Sequence, residues 1–518
     1  MPRAAHRVAV TAGLSLFAIA IGWPTLAFVG ALAESPVPSV SYAASVRPWG
    51  LLGRTLLLAG GATVLSVAFS LPGAFAIGRS GSVRRRPVLL VVLLLPLLCP
   101  PMVYAFGWQR ILDIPAIGNA YVGASWHCML VWASWSWPIP AMLIGSGWSR
   151  KGRGAYEAAL LSVSPASAFL HGALPALTRY LVVAVMILMT LLAGEYSVPH
   201  ACGLMVYSTE LLGWASSSNL IADIVAPALP MTATILLLLV LMAWLGRGLR
   251  SDRDTSDESG SVARSSRALL ALAAAVTLVT AAVPMAALIS RLESWDLLGV
   301  ALDTYHMELL QSLAVAAAVG IGVMLLGCGL VVHRTMRIIG APITLLFGLL
   351  PGALIGEVIV VAYRSVPMVY YEWPLVVIGL IARFAWVGVM VAWAAWAAGA
   401  DELADQARSD GASDSTIAWS VRLAAHLPVL AAGAMVAAVL ALAELVTASL
   451  VQVPSVGLIS LILIEKFHRF EDGMLAALSL WLVIPAVAAA VAAALLLHHR
   501  SAGVAPPVSR RFRANWNS

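Results

Sequence analysis

Twelve times along its 518 residues this chain runs through about twenty apolar residues in succession, and that recurrence limits what it can fold into. A helix needs about 20 residues to cross a hydrocarbon layer about 30 Å thick. The runs lie near 8–31, 55–77, 88–107, 126–148, 179–200 and 222–245, then near 268–290, 308–331, 341–363, 374–397, 428–450 and 475–497. They read as an all-helical membrane protein with about twelve transmembrane helices. The composition agrees, with 61% apolar and only 11% charged residues, against about 25% charged in soluble domains. A soluble enzyme, a disordered chain and a disulfide-built secreted domain are excluded. The net charge of +6 is spread over short segments between the runs, which points to topology and not to a nucleic-acid partner.

The first run follows Arg3 and Arg7 and ends near Ala31-Leu32-Ala33. Its length exceeds the 7–15-residue apolar core of a signal peptide, so it reads as a retained first helix. Residues 247–267, containing DRDTSDESGSVARSSR, divide the chain as a polar linker. The expected organisation is a first unit over 1–246, the linker, a second unit over 268–497 and a basic tail over 498–518. If the runs cross alternately, 23 of the 31 Lys and Arg residues fall on the side holding both termini and the long 149–178 and 398–427 loops. The excess of positive charge makes that side cytoplasmic. Cys99, Cys128, Cys202 and Cys328 show no metal or disulfide spacing, and Trp108, Trp126, Trp148 and Trp373 fall where an interfacial aromatic belt is expected.

The two halves read as repeats. Glu157 and Asp405 open similar loops 248 positions apart, Glu195 and Glu444 follow at a spacing of 249, and Pro101 and Pro351 at 250. One nearly constant offset argues for duplication of a six-span unit. Because six is even, the copies are parallel, related by an axis along the membrane normal.

The two long cytoplasmic loops carry the most information. In the second, ELADQARSD forms about two helical turns ending at Gly411, where glycine suits the left-handed closing position. Ser413 or Asp414 then caps a helix running toward Leu427-Pro428. In the first, YEAALLSV makes a similar turn, and Ser164-Pro165 supplies a cap with proline at the first helical position. Both loops read as helix, sharp break, helix.

DQARSDGAS, from Asp405 to Ser413, and EAALLSVSP, from Glu157 to Pro165, resemble the signature loop of ABC importer permeases. The usual form of that loop is EAARLDGAS. Over nearly its full length the chain resembles the fused, two-copy inner-membrane permeases of the iron(III) and thiamine uptake type. The resemblance implies a bacterial plasma-membrane subunit, two copies of a separate ATPase docking on two coupling helices, and a periplasmic or lipid-anchored solute-binding protein. By matched position the coupling residues are Glu157, Ala158 and Ala159, then Asp405, Ala407, Asp410 and Gly411. The first copy departs from the pattern, with Val163 where glycine is usual and a β-branched residue poorly suited to positive φ. Its break is therefore expected at Ser164-Pro165.

No GxxxxGK[ST] stretch occurs and Lys151 and Lys466 are the chain's two lysines, so ATP hydrolysis is expected on another chain. HExxH, GxSxG and ligand-spaced His/Cys/Asp clusters are absent too, and neither enzyme, cofactor nor metal site is read here. Charges within spans are costly and face cavities or partners. Glu357 and Arg383 lie at similar depths on adjacent runs and are expected to pair. Glu195 and Glu444, near the outer ends of their runs, either flank a translocation path or snorkel outward. Proline groups at Pro96, Pro100 and Pro101, at Pro138 and Pro140, and at Pro351 are expected to kink their spans. A major-facilitator-like secondary carrier is the alternative, but its characteristic loop motif is incomplete in GRSGSVRRR, Gly78 to Arg86.

Overall fold

The computed structural model describes residues 2–34, 46–79, 93, 95–97, 99–112, 120–217, 221–250, 267–397, 401–412 and 416–503. The described residues are predominantly helical and contain no strand. With no water to satisfy amides inside a bilayer, a chain this apolar has to close its backbone bonds within each segment. By length and composition, eight helices among the described residues are able to cross a membrane, or ten when each of two bent pairs makes one crossing.

The difference from twelve comes from breaks that apolar runs do not reveal. In the third run Leu93 and Leu95 to Leu97 are helical, Cys99 and Pro100 leave the helix, and Pro101–Leu112 follows as a new one, since Pro100 and Pro101 offer no amide to an earlier turn. Much of the run before it lies outside the described residues. The eleventh run stops at Ala443 after 17 residues, with Glu444 extended at ψ 130°. The fifth begins at Pro165 and ends at Ala193, not at 200. The ninth is cut into Gly340–Gly348 and Gly352–Tyr363, bent by 115°, and the fourth bends by 48° at the residue before Pro138. Of the expected linker, Arg247 to Arg250 continue the Ile221–Arg250 helix, and 251–266 lie outside the described residues.

Three further prolines are absorbed without a break. Trp23, Leu174 and Val283 each precede a proline, and each donates its amide five residues back, to Ala18, Phe169 and Leu278. A proline ring crowds the carbonyl four residues before it. Widening the preceding turn to the π pattern relieves that crowding while the helix continues.

The Asp296–Val332 helix, 37 residues long, is the central post of the molecule. It crosses Trp373–Ala397 so closely that a Cβ at Gly327 would stand 2.3 Å from the Gly388 carbonyl carbon, and one at Gly388 would stand 2.0 Å from the Val323 oxygen. Small residues at such a crossing replace the hydrophobic drive that lipid does not supply. Each unit also lends its first helix to the other. The Val10–Glu34 span packs on the second unit, Gly13 against Gly329, with Tyr363 Oη donating to the Ile19 carbonyl at 2.8 Å. The Ala268–Ile289 span packs on the first, where Gly107 abuts Pro284 and Trp137 Nε1 donates to Thr280 Oγ1 at 3.0 Å. One buried apolar cluster joins the units directly, with Val103, Phe106, Trp132 and Leu192 meeting Leu309, Leu442, Ile459 and Leu478.

Candidate functional site

The first loop folds as a helical hairpin. Arg153–Leu160 ends where Leu161 and Ser162 donate to Ala158 and Ala159, and Ser164, extended at ψ 158°, restarts the chain with Pro165 at the first helical position. The break therefore uses Ser164-Pro165 and no left-handed residue, as Val163 requires. Ser164 makes no side-chain cap, so the proline and the extended ψ alone set the restart. Glu157 and Ala158 are exposed, whereas Ala159 faces the returning arm, its Cβ 3.0 Å from where a Cβ on Gly172 would sit. Glu157 accepts from Arg153 Nε at 2.7 Å. The tip leaves Leu161 88% exposed, with Leu160, Val163 and Leu170 also exposed. Trp148, expected in an interfacial belt, is instead buried against Phe75, Tyr156 and Phe169 at the hairpin's root. A large ring buried there fixes the hairpin's angle to the helix above it.

The second loop closes as a Schellman motif. Asp401–Ser409 ends with Gly411 N–H on the Arg408 carbonyl at 3.0 Å and Ala412 N–H on the Ala407 carbonyl at 2.9 Å. Gly411 stands at φ +79°, the conformation this motif asks of its closing residue. Ala407 is half-buried; Asp405, Asp410 and Gly411 are exposed. Asp405 pairs with Arg408 at 2.5 Å. The expected caps Ser413 and Asp414 lie outside the described residues.

From these loops two rods lead inward. Leu174–Ala193 and Leu427–Ala443, of 20 and 17 residues, span about 30 and 26 Å at 1.5 Å per residue. Each ends at a glutamate that starts a short helix. Glu195 accepts the Ser197 and Val198 amides at 2.6 and 3.0 Å, and Glu444 accepts the Thr447 amide at 3.0 Å. Their own carbonyls each accept a serine hydroxyl, Ser208 and Ser460 at 2.8 and 3.1 Å. A carboxylate at a helix start satisfies otherwise orphaned amides, so both glutamates terminate one helix and begin the next.

Between the rod ends lies a cavity of about 130 Å³, lined by Glu195, Tyr196, Trp135, Arg383, Trp386 and Glu444 among others. Glu195 also accepts Trp132 Nε1 at 2.9 Å. Arg383 does not pair with Glu357: its Nε faces Glu444 at 3.7 Å, and its Nη1 donates to the Leu350 carbonyl at 2.6 Å and the Gly348 carbonyl at 3.3 Å. The guanidinium thus serves the carbonyls freed where Pro351 interrupts the helix. Glu357, half-buried on the next segment, is not among the cavity's lining residues. Three of the four expected pathway residues meet there. Trp135, Tyr196 and Trp386 were missed because aromatic residues in apolar runs carry no mark separating lipid-facing from cavity-facing positions.

Tyr196 also stacks on His200, centroids 4.9 Å apart, and His200 Nε2 lies 3.0 Å from His468 Nε2 of the second unit. Burial, and then the neighbouring His468 ring, lower the His200 pKa. A ring N–H of one imidazole donating to the bare ring nitrogen of the other accounts for the contact. Among the described residues no group of three or more His, Cys, Asp or Glu side chains is arranged to hold a metal ion. Compared with protein-family models, with curated proteins and with solved structures, the chain matches none.

Proposed function

We propose that the chain is the membrane-spanning permease of an ATP-binding-cassette importer, lying in a bacterial plasma membrane with both termini cytoplasmic. In this reading the two helical loops take force from two copies of a separate ATPase. A solute handed over by an external binding protein passes the cavity at Glu195, Arg383 and Glu444. Iron(III) is favoured by the family resemblance, with thiamine or another small solute in the same class of cargo. Twelve crossings in two parallel repeats belong to the same proposal, and the matched surroundings of Glu195 and Glu444 support it.

The observation that carries the reading is the exposed Asp401–Ser409 helix, stopped by a left-handed Gly411 inside the stretch that resembles the importer signature loop. A short helix that is exposed on one side and sharply terminated is a shape that a socket can grip. Each loop is followed by a helix that ends at a cavity glutamate, Leu174–Ala193 and Leu427–Ala443, so displacement of the loop moves a cavity wall. The exposed Leu160, Leu161 and Val163 support docking as well, since clustered apolar side chains on a loop mark a contact surface.

Affinity purification of the tagged chain from its own membranes tests the proposal. The expected result is an ATPase at about two copies per chain. Gly411→Trp is expected to leave the protein inserted while abolishing both copurification and uptake, because a side chain is strained at positive φ and a large one obstructs the socket. A chain that purifies alone and moves solute on an ion gradient would overturn the importer reading in favour of a secondary carrier.

A further inference from the structure

Between the central post and the Gly340–Gly348 helix the chain makes one short helix, Arg334–Ile338. The Arg337 guanidinium carbon lies 4.7 Å from the centre of the Trp396 ring, and that of Arg422 lies 5.0 Å from the same ring. Arg337 Nη1 donates to the Val331 carbonyl at 3.2 Å, and Arg422 Nη1 to the Trp396 carbonyl at 3.4 Å. Burial first, then the charges of Arg422 and Arg334, lower the Arg337 pKa. Arginine nevertheless keeps its proton in proteins, so Arg334 and Arg337 both stand charged on this short helix. Among the described residues neither Arg334 nor Arg337 forms an ion pair with a carboxylate.

Beside the cations the surface turns apolar. Ile338 and Ile339 are 64% and 55% exposed, and Ile343 and Leu346 continue the exposed strip along the next helix. A cluster of guanidiniums at the head of an apolar strip matches an amphiphile with an anionic head and hydrocarbon tails. Zwitterionic headgroups bring no net charge to balance the arginines, whereas anionic ones attract basic groups at a membrane surface.

We propose that Arg334 and Arg337 hold the phosphodiester headgroup of an anionic phospholipid, whose acyl chains lie along Ile338, Ile339, Ile343 and Leu346. Arg422 belongs to the Ile417–Leu423 stretch leading from the second loop into Leu427–Ala443. Because Arg337 and Arg422 share the Trp396 ring, the bound headgroup sits beside the stretch that leads from that loop. The site rests on the chain being embedded in a bilayer and not on the docking of an ATPase.

Native mass spectrometry of the delipidated full chain, titrated with phosphatidylglycerol or with phosphatidylcholine of the same acyl chains, tests it. The first phosphatidylglycerol is expected to bind the double variant Arg334→Gln, Arg337→Gln about thirtyfold more weakly than the unaltered protein, and Arg334→Gln alone about fivefold more weakly. The single variant matters because Arg334 is exposed, so its loss leaves the Trp396 stack in place. Arg150→Gln, at the other loop, is expected to bind as the unaltered protein does. Equal affinity of the Arg334 variants and the unaltered chain, or equal binding of the two lipids, would overturn the proposal. Displacement of the lipid by millimolar inorganic phosphate would overturn it too, by making the site one for a free anion.

Discussion

Arg383 shows how one side chain holds a broken helix together. It donates to the carbonyls of Gly348 and Leu350 and faces Glu444, so the cavity's single arginine braces a backbone interruption and the end of the Leu427–Ala443 helix at once. Arg383→Met is expected to lower the stability of the detergent-solubilised protein by about 2 kcal/mol or more, because it orphans two carbonyls and a carboxylate. Glu444→Gln keeps an acceptor for the Thr447 amide and should cost less. The two substitutions together are expected to fall short of additivity, since they share one contact. Thermal-unfolding midpoints of the four proteins check this, and full additivity would separate the two residues. The sequence pointed to Arg383 as a membrane-embedded charge but to the wrong partner. Depth counted from the ends of an apolar run assumes an unbroken rod, and Pro351 turns the Glu357 segment away.

Among the elements, what was legible depended on whether lipid or the chain's own packing set the boundary. Apolar length marks spans well because the bilayer imposes it, and Gly411 and Ser164-Pro165 were readable because turn chemistry is local. The ends at Ala193 and Ala443 were not, since Gly194, Glu195 and Glu444 leave the helix to begin short ones around the cavity. The π turns before Pro24, Pro175 and Pro284 were also hidden, for a proline marks a disturbance without saying whether the helix bends or widens. Close helix crossings show up in sequence only as scattered glycines. Gly388→Val, which puts methyl groups where the Val323 carbonyl already sits, is expected to destabilise the protein by about 1–3 kcal/mol. Ala394→Val, on an exposed position of the same helix, should change little. Yield of monodisperse protein after extraction distinguishes them, and equal yields would mean the crossing relaxes freely.

At the scale of the whole molecule, the division into two units is a division of sequence more than of space. Each unit holds the other's first helix, and a shared core of Trp132, Phe106, Leu442 and Ile459 seals them. Residues 1–250 and 267–518 made as separate chains are therefore expected to purify as one complex when co-expressed, and each to be unstable alone. Stable, monodisperse recovery of either half by itself would contradict the exchange. The exchange also sets a schedule for biosynthesis. Gly13 finds Gly329 only after some 316 further residues have been made (329 − 13), which at 5–20 residues per second takes about 15–60 s. Throughout that interval the newborn first helix has to stand in the bilayer without its mate, held by lipid alone, since a helix closes its own backbone bonds.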